Sequence, residues 1–242
     1  MAQARAALVI GAGDATGGAI AKRFAREGFV TCVVRRHAER LAPLVAEIEA
    51  AGGQARAFGT DARKEEEMSA LIAGIERDIG PLEVAVFNIG ANVRFSIRET
   101  TARVYFKVWE MGAFAGFLLG REAAKVMVPR GRGSILFTGA TASLRGREGF
   151  AAFAGAKHAL RALAQSLARE LGPQGIHVAH VVIDGAIDTA FIRENFPDRY
   201  ALKAKQGILD PDSIAENYWL LHRQPRDAWT HEMDLRPWSE AF

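Results

Sequence analysis

The sequence predicts a doubly wound α/β fold: a seven-stranded, mostly parallel sheet covered by helices on both faces, in a single domain over residues 1–242. Three observations carry this expectation. Short runs rich in Val, Ile and Leu alternate with longer stretches of helical periodicity from end to end. The short runs are nearly continuous in apolar residues, the pattern of strands buried on both faces of a parallel sheet. No linker-like shift in composition, internal repeat or low-complexity tract interrupts the alternation.

Taken in order, the strands are expected at AALVI (6–10), VTCVV (30–34), QARAF (54–58), EVAVF (83–87), SILF (134–137) and HVAHVVI (177–183), with WTHEMDL (229–235) as the last. Helices are expected at 17–27, 38–50, 64–78, 100–128, 150–171 and 211–223, where apolar residues recur at helical spacing. Gly52-Gly53, Gly80-Pro81 and Gly172-Pro173 supply stops, because glycine adopts the left-handed cap and proline cannot continue a helix.

Composition excludes several classes. A 49% apolar and 24% charged chain is that of an ordinary globular domain. The 31 basic residues are dispersed among 28 acidic ones, and no basic stripe with interleaved aromatics appears, so a nucleic-acid partner is not expected. No apolar stretch approaches a membrane span, and the run before the first glycines is too short for a secretory signal. The lone Cys32 lies in an apolar run, which fits an inert thiol in a reducing cytoplasm. The six histidines are scattered, and His177 and His180, three apart on a strand, face opposite sides of the sheet, so no metal site is expected.

The first turn, Gly11-Ala12-Gly13-Asp14-Ala15-Thr16-Gly17-Gly18, follows a strand and opens a helix. That context suits a dinucleotide pyrophosphate, with glycines admitting its approach and the helix N-terminus supplying N–H donors. A turn needed only for tight strand–helix packing is the alternative. The second strand ends in Arg35-Arg36-His37 without an acid to bond a ribose 2′-hydroxyl, which favours NADP(H) over NAD(H). Asp14 argues mildly the other way, and two solvated arginines are the plainer explanation. The fourth helical stretch carries Gly112, Gly116 and Gly120 on one face. Each costs roughly 1 kcal/mol against Ala, so another element must approach closely, either a second copy or this chain's own sheet.

Gly133 to Lys157, GSILFTGATASLRGREGFAAFAGAK, resembles the catalytic segment of the short-chain dehydrogenase/reductase family, in which a serine precedes a Tyr-x-x-x-Lys pair by thirteen residues. Here Ala140 holds the serine position and Phe153 the tyrosine position; Lys157 alone is retained. The resemblance covers essentially the whole chain and implies a Rossmann-type three-layer sandwich that binds NAD(P)(H). The family's T-G-x-x-x-G-x-G becomes Ile10, Gly11, Ala15 and Gly17, with Ala15 adding a methyl group where phosphate comes close. Asp61 matches the family's adenine-contacting aspartate, although an Asp before a helix also suits an N-cap. Asn88 and Gly90 retain half of N-N-A-G and read as structural. Gly112 falls where the family places an asparagine that holds a proton-relay water. Asp184-Gly185-Ala186-Ile187-Asp188-Thr189 resembles P-G-x-x-x-T, so Gly185, Ile187 and Thr189 are expected at the nicotinamide. Residues 190–210 are expected to form a lid. The tail lacks the family's closing T-G-x-x-x-x-V-D-G-G, and Trp229 and Trp238 are expected to pin it to a neighbouring subunit or to the chain's own core.

In that family the tyrosine hydroxyl supplies the proton and the serine hydroxyl holds the substrate oxygen. Phe153 and Ala140 offer neither, so the usual mechanism is not available. Lys157 can remain as a clamp on the nicotinamide ribose, or rest its stem on the core with its head in water. Thr138, Thr141, Ser143 and Glu148 are further candidates near the gap, whereas His158 points about 100° away from Lys157. Two functions follow. One is an NAD(P)(H)-dependent oxidoreductase with a non-standard site, acting on a small molecule, in which Lys157 works with water or a loop residue. The other is a catalytically silent NADP(H)-binding sensor or partner subunit. The resemblance also implies a homodimer or homotetramer through helices 100–128 and 150–171.

Overall fold

The structure, a computed structural model, describes residues 4–240; the ends of the expected 1–242 domain, residues 1–3, Ala241 and Phe242, lie outside it. The apolar runs become strands because each is covered on both sides: all eight residues of the strand Ile176–Ile183 are buried, as are five of six in Arg5–Ile10. In chain order the elements are β1 (Arg5–Ile10), α1 (Thr16–Arg26), β2 (Phe29–Arg35), α2 (Ala42–Ala50), β3 (Gln54–Gly59), α3 (Glu65–Asp78), β4 (Leu82–Phe87), α4 (Ala102–Trp109), α5 (Ala115–Met127), β5 (Gly133–Thr138), α6 (Ala151–Leu171), β6 (Ile176–Ile183), α7 (Ala190–Asn195), α8 (Pro197–Ala201), α9 (Pro211–His222) and β7 (Glu232–Leu235).

The sheet order is β3-β2-β1-β4-β5-β6-β7, and every neighbouring pair is parallel. Two cores sandwich it. Leu8, Ile10, Phe87 and Phe137 pack against α3, α5 and α6 on one face. Val9, Val33 and Val86 pack against α1, α2 and α9 on the other. The chain reverses direction across the sheet between β1 and β4, which opens a crevice at the carboxyl ends of the strands.

Four local features add to the sequence expectations. The helix expected over 100–128 is split by a π-helical turn at Glu110–Phe114, a feature with no proline or glycine pair to announce it. The glycine face of that segment meets the chain's own core: added methyl groups would lie 3.0 Å from Ala156 at Gly112, 2.5 Å from Leu160 at Gly116 and 2.8 Å from Leu167 at Gly120. The last strand is shorter than expected, because Trp229 stacks on His177 at 4.9 Å and Thr230 bonds Gln224 instead of joining the sheet. Residues 190–210 are largely helical, as α7, α8 and a 3₁₀ turn at Leu202–Lys205. The tail docks on this segment through Trp238, whose Nε1 donates to the Lys205 carbonyl.

Candidate active site

A cavity of about 460 Å³ opens at the β1/β4 switch, walled by the glycine turn, the ends of β4, β5 and β6, and the start of α6. Gly11 has φ +84°, and a Cβ there would sit 2.5 Å from the Asn88 carbonyl oxygen. At Gly17 a Cβ would sit 2.3 Å from the Gly11 carbonyl oxygen. Asn88 ties the two segments together, its Nδ2 donating to that same carbonyl. Gly13 borders open space, with nothing within 4 Å of a would-be Cβ. At the start of α1, Ala15 caps no N–H and no acid follows in the first turn, so the positive helix end faces the cavity. These donors and this space fit a dinucleotide pyrophosphate. The Ala15 methyl narrows that end, where Asp14 and Thr16 also line the wall.

Arg35 ends β2 and Arg36 follows it; neither lines the cavity, and Arg36 is exposed. Asp61 also stands outside the lining. Arg63 grips its carboxylate with bonds of 2.8 and 2.5 Å and draws its pKa down to about 2, with a smaller pull from Arg36. Asp61 is not the helix cap, since α3 begins after Lys64.

Lys157 sits on the inner face of α6, 2% exposed. Its ammonium donates to the Thr138 carbonyl at 2.8 Å and the Ile89 carbonyl at 3.1 Å, spanning the ends of β5 and β4. Burial pushes its pKa down to about 8. An ammonium has three protons, so one remains for the cavity that Lys157 lines. The Phe153 ring, centred 5.9 Å from Nζ, and Ala140 also line the cavity and carry no hydrogen-bonding side chain.

The nearby hydroxyls are committed elsewhere. Thr138 pairs with the buried Tyr218 hydroxyl at 2.6 Å. Ser143 is fully buried and accepts the Ala140 N–H. Thr141 lines the cavity but donates its proton to Asp184 at 2.5 Å, leaving only lone pairs to offer. His158 bonds the Ala154 carbonyl, and Glu148 is exposed and outside the lining.

Asp184, in the family's proline position, is a buried carboxylate facing Arg145 at 3.6 Å and Arg236 at 3.7 Å. Sequence reasoning missed this cluster, whose members lie on three separated segments. Beyond it, Gly185, Ile187 and Thr189 line the cavity, as does Gly90. Ile187 bridges Leu209 in parallel, with Asp188 N–H and Ala186 C=O making the bonds, so the Ile187 N–H is turned away from that partner. Thr189 accepts the Ile192 N–H and caps α7.

Elsewhere, burial pushes the Cys32 thiol up to about 12. Among the described residues no His, Cys, Asp and Glu cluster is placed to hold a metal ion, and no helix is long and apolar enough to cross a membrane.

Comparison with known proteins agrees with this geometry. The short chain dehydrogenase family profile matches residues 5–199. The chain is 52% identical to a short-chain dehydrogenase from Rhodopseudomonas palustris of known structure, at a TM-score of 0.83 over 97% of this chain and 99% of that one. It is 32% identical over 217 residues to a 3beta-hydroxysteroid dehydrogenase of Mediterraneibacter gnavus, covering 88% of this chain and 78% of the relative. An actinorhodin polyketide ketoreductase solved with NADPH is 25% identical at a TM-score of 0.88, over 97% and 96% of the two chains. The chain belongs to the short-chain dehydrogenase family.

Proposed function

We propose that the protein is an NADP(H)-dependent oxidoreductase in which Lys157 takes over proton delivery from the missing tyrosine. The observation that carries this reading is the state of Lys157. It is buried, held by two backbone carbonyls at the mouths of β4 and β5, and lowered by burial into the range where an ammonium can act as an acid near neutral pH. Every neighbouring hydroxyl has its proton or its position committed elsewhere.

The cofactor would be held at its pyrophosphate by Gly11, Gly13, Ala15, Thr16, Gly17 and the start of α1. Lys157, Gly90, Gly185, Ile187 and Thr189 would hold its nicotinamide end. Arg35 and Arg36 favour a 2′-phosphate, and no acid at the end of β2 opposes it; Asp61, already gripped by Arg63, has only its remaining lone pairs for an adenine. A reduced nicotinamide bound there would supply a hydride. Lys157 holds a proton at Nζ on the cavity wall, and the apolar Phe153 and Ala140 exclude water without polarising a carbonyl. Acceptors that need little acid assistance, such as activated C=C bonds or iminium groups, therefore suit the site better than ketones.

The protein is taken to work in the cytoplasm as a homodimer or homotetramer through helices 100–128 and 150–171. Phe106, Trp109, Phe114 and Phe117 support that assembly, forming a ladder with ring centroids 5.9 to 6.0 Å apart, three of its rings exposed.

The absence of the serine, the tyrosine and the helix asparagine favours a second reading, a cofactor-binding protein without catalysis. Single-turnover mixing of NADPH-loaded protein with α,β-unsaturated carbonyl and iminium acceptors separates the two. Oxidation of bound NADPH that slows in Lys157→Met supports the enzyme; no oxidation with any acceptor supports the silent binder.

A further inference from the structure

The substrate end of the cavity has a charge character that the cofactor site does not account for. Arg145 and Arg147 line it from the loop after β5, and Lys157 lines its floor. Among the described residues the one carboxylate in the lining is Asp14, in the glycine turn at the opposite, pyrophosphate end. Arg147 is exposed and forms no hydrogen bond or ion pair through its side chain among the described residues. Arg145 is tethered beside Thr141 by Asp184, a carboxylate it shares with Arg236, which also pairs with Asp234. Arg94, from a different segment, lies over the ring of Phe150 at 6.0 Å, and Phe150 itself lines the cavity. Between these guanidiniums and the nicotinamide end, Ala140, Ala142, Phe150, Phe153, Ile183 and Ile187 make the wall apolar.

We propose that this pocket takes a substrate with an apolar body and a terminal carboxylate, anchored by Arg147 with Arg145 beside it. The inference rests on the oxidoreductase reading only in calling the occupant a substrate. A guanidinium presents two parallel N–H donors that match a carboxylate, and it holds its charge at every working pH. A neutral ligand of the same shape leaves Arg147 to water and Arg145 on Asp184, whereas a carboxylate engages Arg147 at its own end while its body covers Phe150 and Phe153. Selection for anions follows from the charge balance of the lining alone.

The test is calorimetric titration of the full-length protein, with and without saturating NADP⁺, using 3-phenylpropionate and its amide as probes. The acid is expected to bind at least ~10-fold more tightly than the amide, the worth of one charge-assisted bidentate contact. Arg147→Gln is expected to remove most of that preference and Arg145→Gln a smaller part, while Arg147→Lys keeps some of it. NADPH affinity and melting temperature in each variant serve as folding controls. Equal binding of acid and amide, undetectable binding of both, or a preference that survives the double Gln variant overturns the anion site. Those outcomes with NADPH still bound leave the cofactor reading standing. An arginine-dependent preference in a protein that binds neither NADPH nor NADH upholds the anion site and removes the cofactor reading.

Discussion

Replacing Lys157 with methionine separates the two protonation states on which the proposed chemistry depends. Burial lowers the folded-state pKa from 10.5 to about 8. Below pH 8 folded and unfolded chains both carry the proton; between 8 and 10.5 only the unfolded chain does. The unfolded state then binds more protons, so stability rises with pH through that window. At 1.36 kcal/mol per unit the full contribution is roughly 3 kcal/mol, an upper value because the carbonyls of Thr138 and Ile89 favour the charged form. Urea unfolding of wild type and Lys157→Met between pH 7 and 10 measures it, with all other titrations cancelling in the difference. At pH 7 the variant is expected within about 3 kcal/mol of wild type, since relief of the buried charge offsets two charge-assisted bonds worth roughly 1.5–3 kcal/mol each. From there the wild type gains on the variant by about 2 kcal/mol up to pH 10. Parallel stability curves would show that Lys157 keeps an ordinary pKa, and the case for it as a near-neutral acid would be lost.

Restoring the two missing groups, Ala140→Ser with Phe153→Tyr, places hydroxyls in a cavity that already holds Lys157, and ketone reduction with NADPH is expected to rise by at least ~10²-fold over wild type. No gain in initial rate across a set of aryl ketones would mean that the cavity does not present a carbonyl to the nicotinamide. Ala15→Gly removes the methyl group that narrows the pyrophosphate end and is expected to tighten NADPH binding about 3-fold or more, measured by calorimetry. Gly17→Ala drives a methyl group to 2.3 Å from the Gly11 carbonyl oxygen. It is expected to cost about 1–3 kcal/mol in urea unfolding and to weaken NADPH in parallel; an unchanged affinity would place the cofactor elsewhere.

Much of this architecture is written locally. Strands buried on both faces must be apolar throughout, so β1, β2, β4 and β6 stand out in the sequence within a residue of their observed ends. The glycine turn is legible because a Cβ on Gly17 would lie 2.3 Å from the Gly11 carbonyl oxygen, which admits no side chain. What the sequence hides is set by partners distant along the chain. Trp229 reads as strand by composition, but stacking on His177 takes it out of the sheet. The π-helical turn at Glu110–Phe114 arises where Gly112 meets Ala156 of another helix. The gap left by serine and tyrosine is visible at once, since it is a matter of residue type. The commitment of Thr141 to Asp184 and of Thr138 to Tyr218 is not, because each pair spans tens of residues. Those hidden pairings are what favour Lys157 in the proposed proton delivery.

The account stands on the cavity being a working NADP(H) site. Fluorescence titration of the purified protein with NADPH and NADH, read through energy transfer from its four tryptophans, tests that most directly. Micromolar binding of NADPH, at least ~10-fold tighter than NADH and equalised by Arg36→Glu, is the predicted result. Binding of neither nucleotide would mean that the glycine turn serves packing alone, and the chain would be a family member without the family's cofactor.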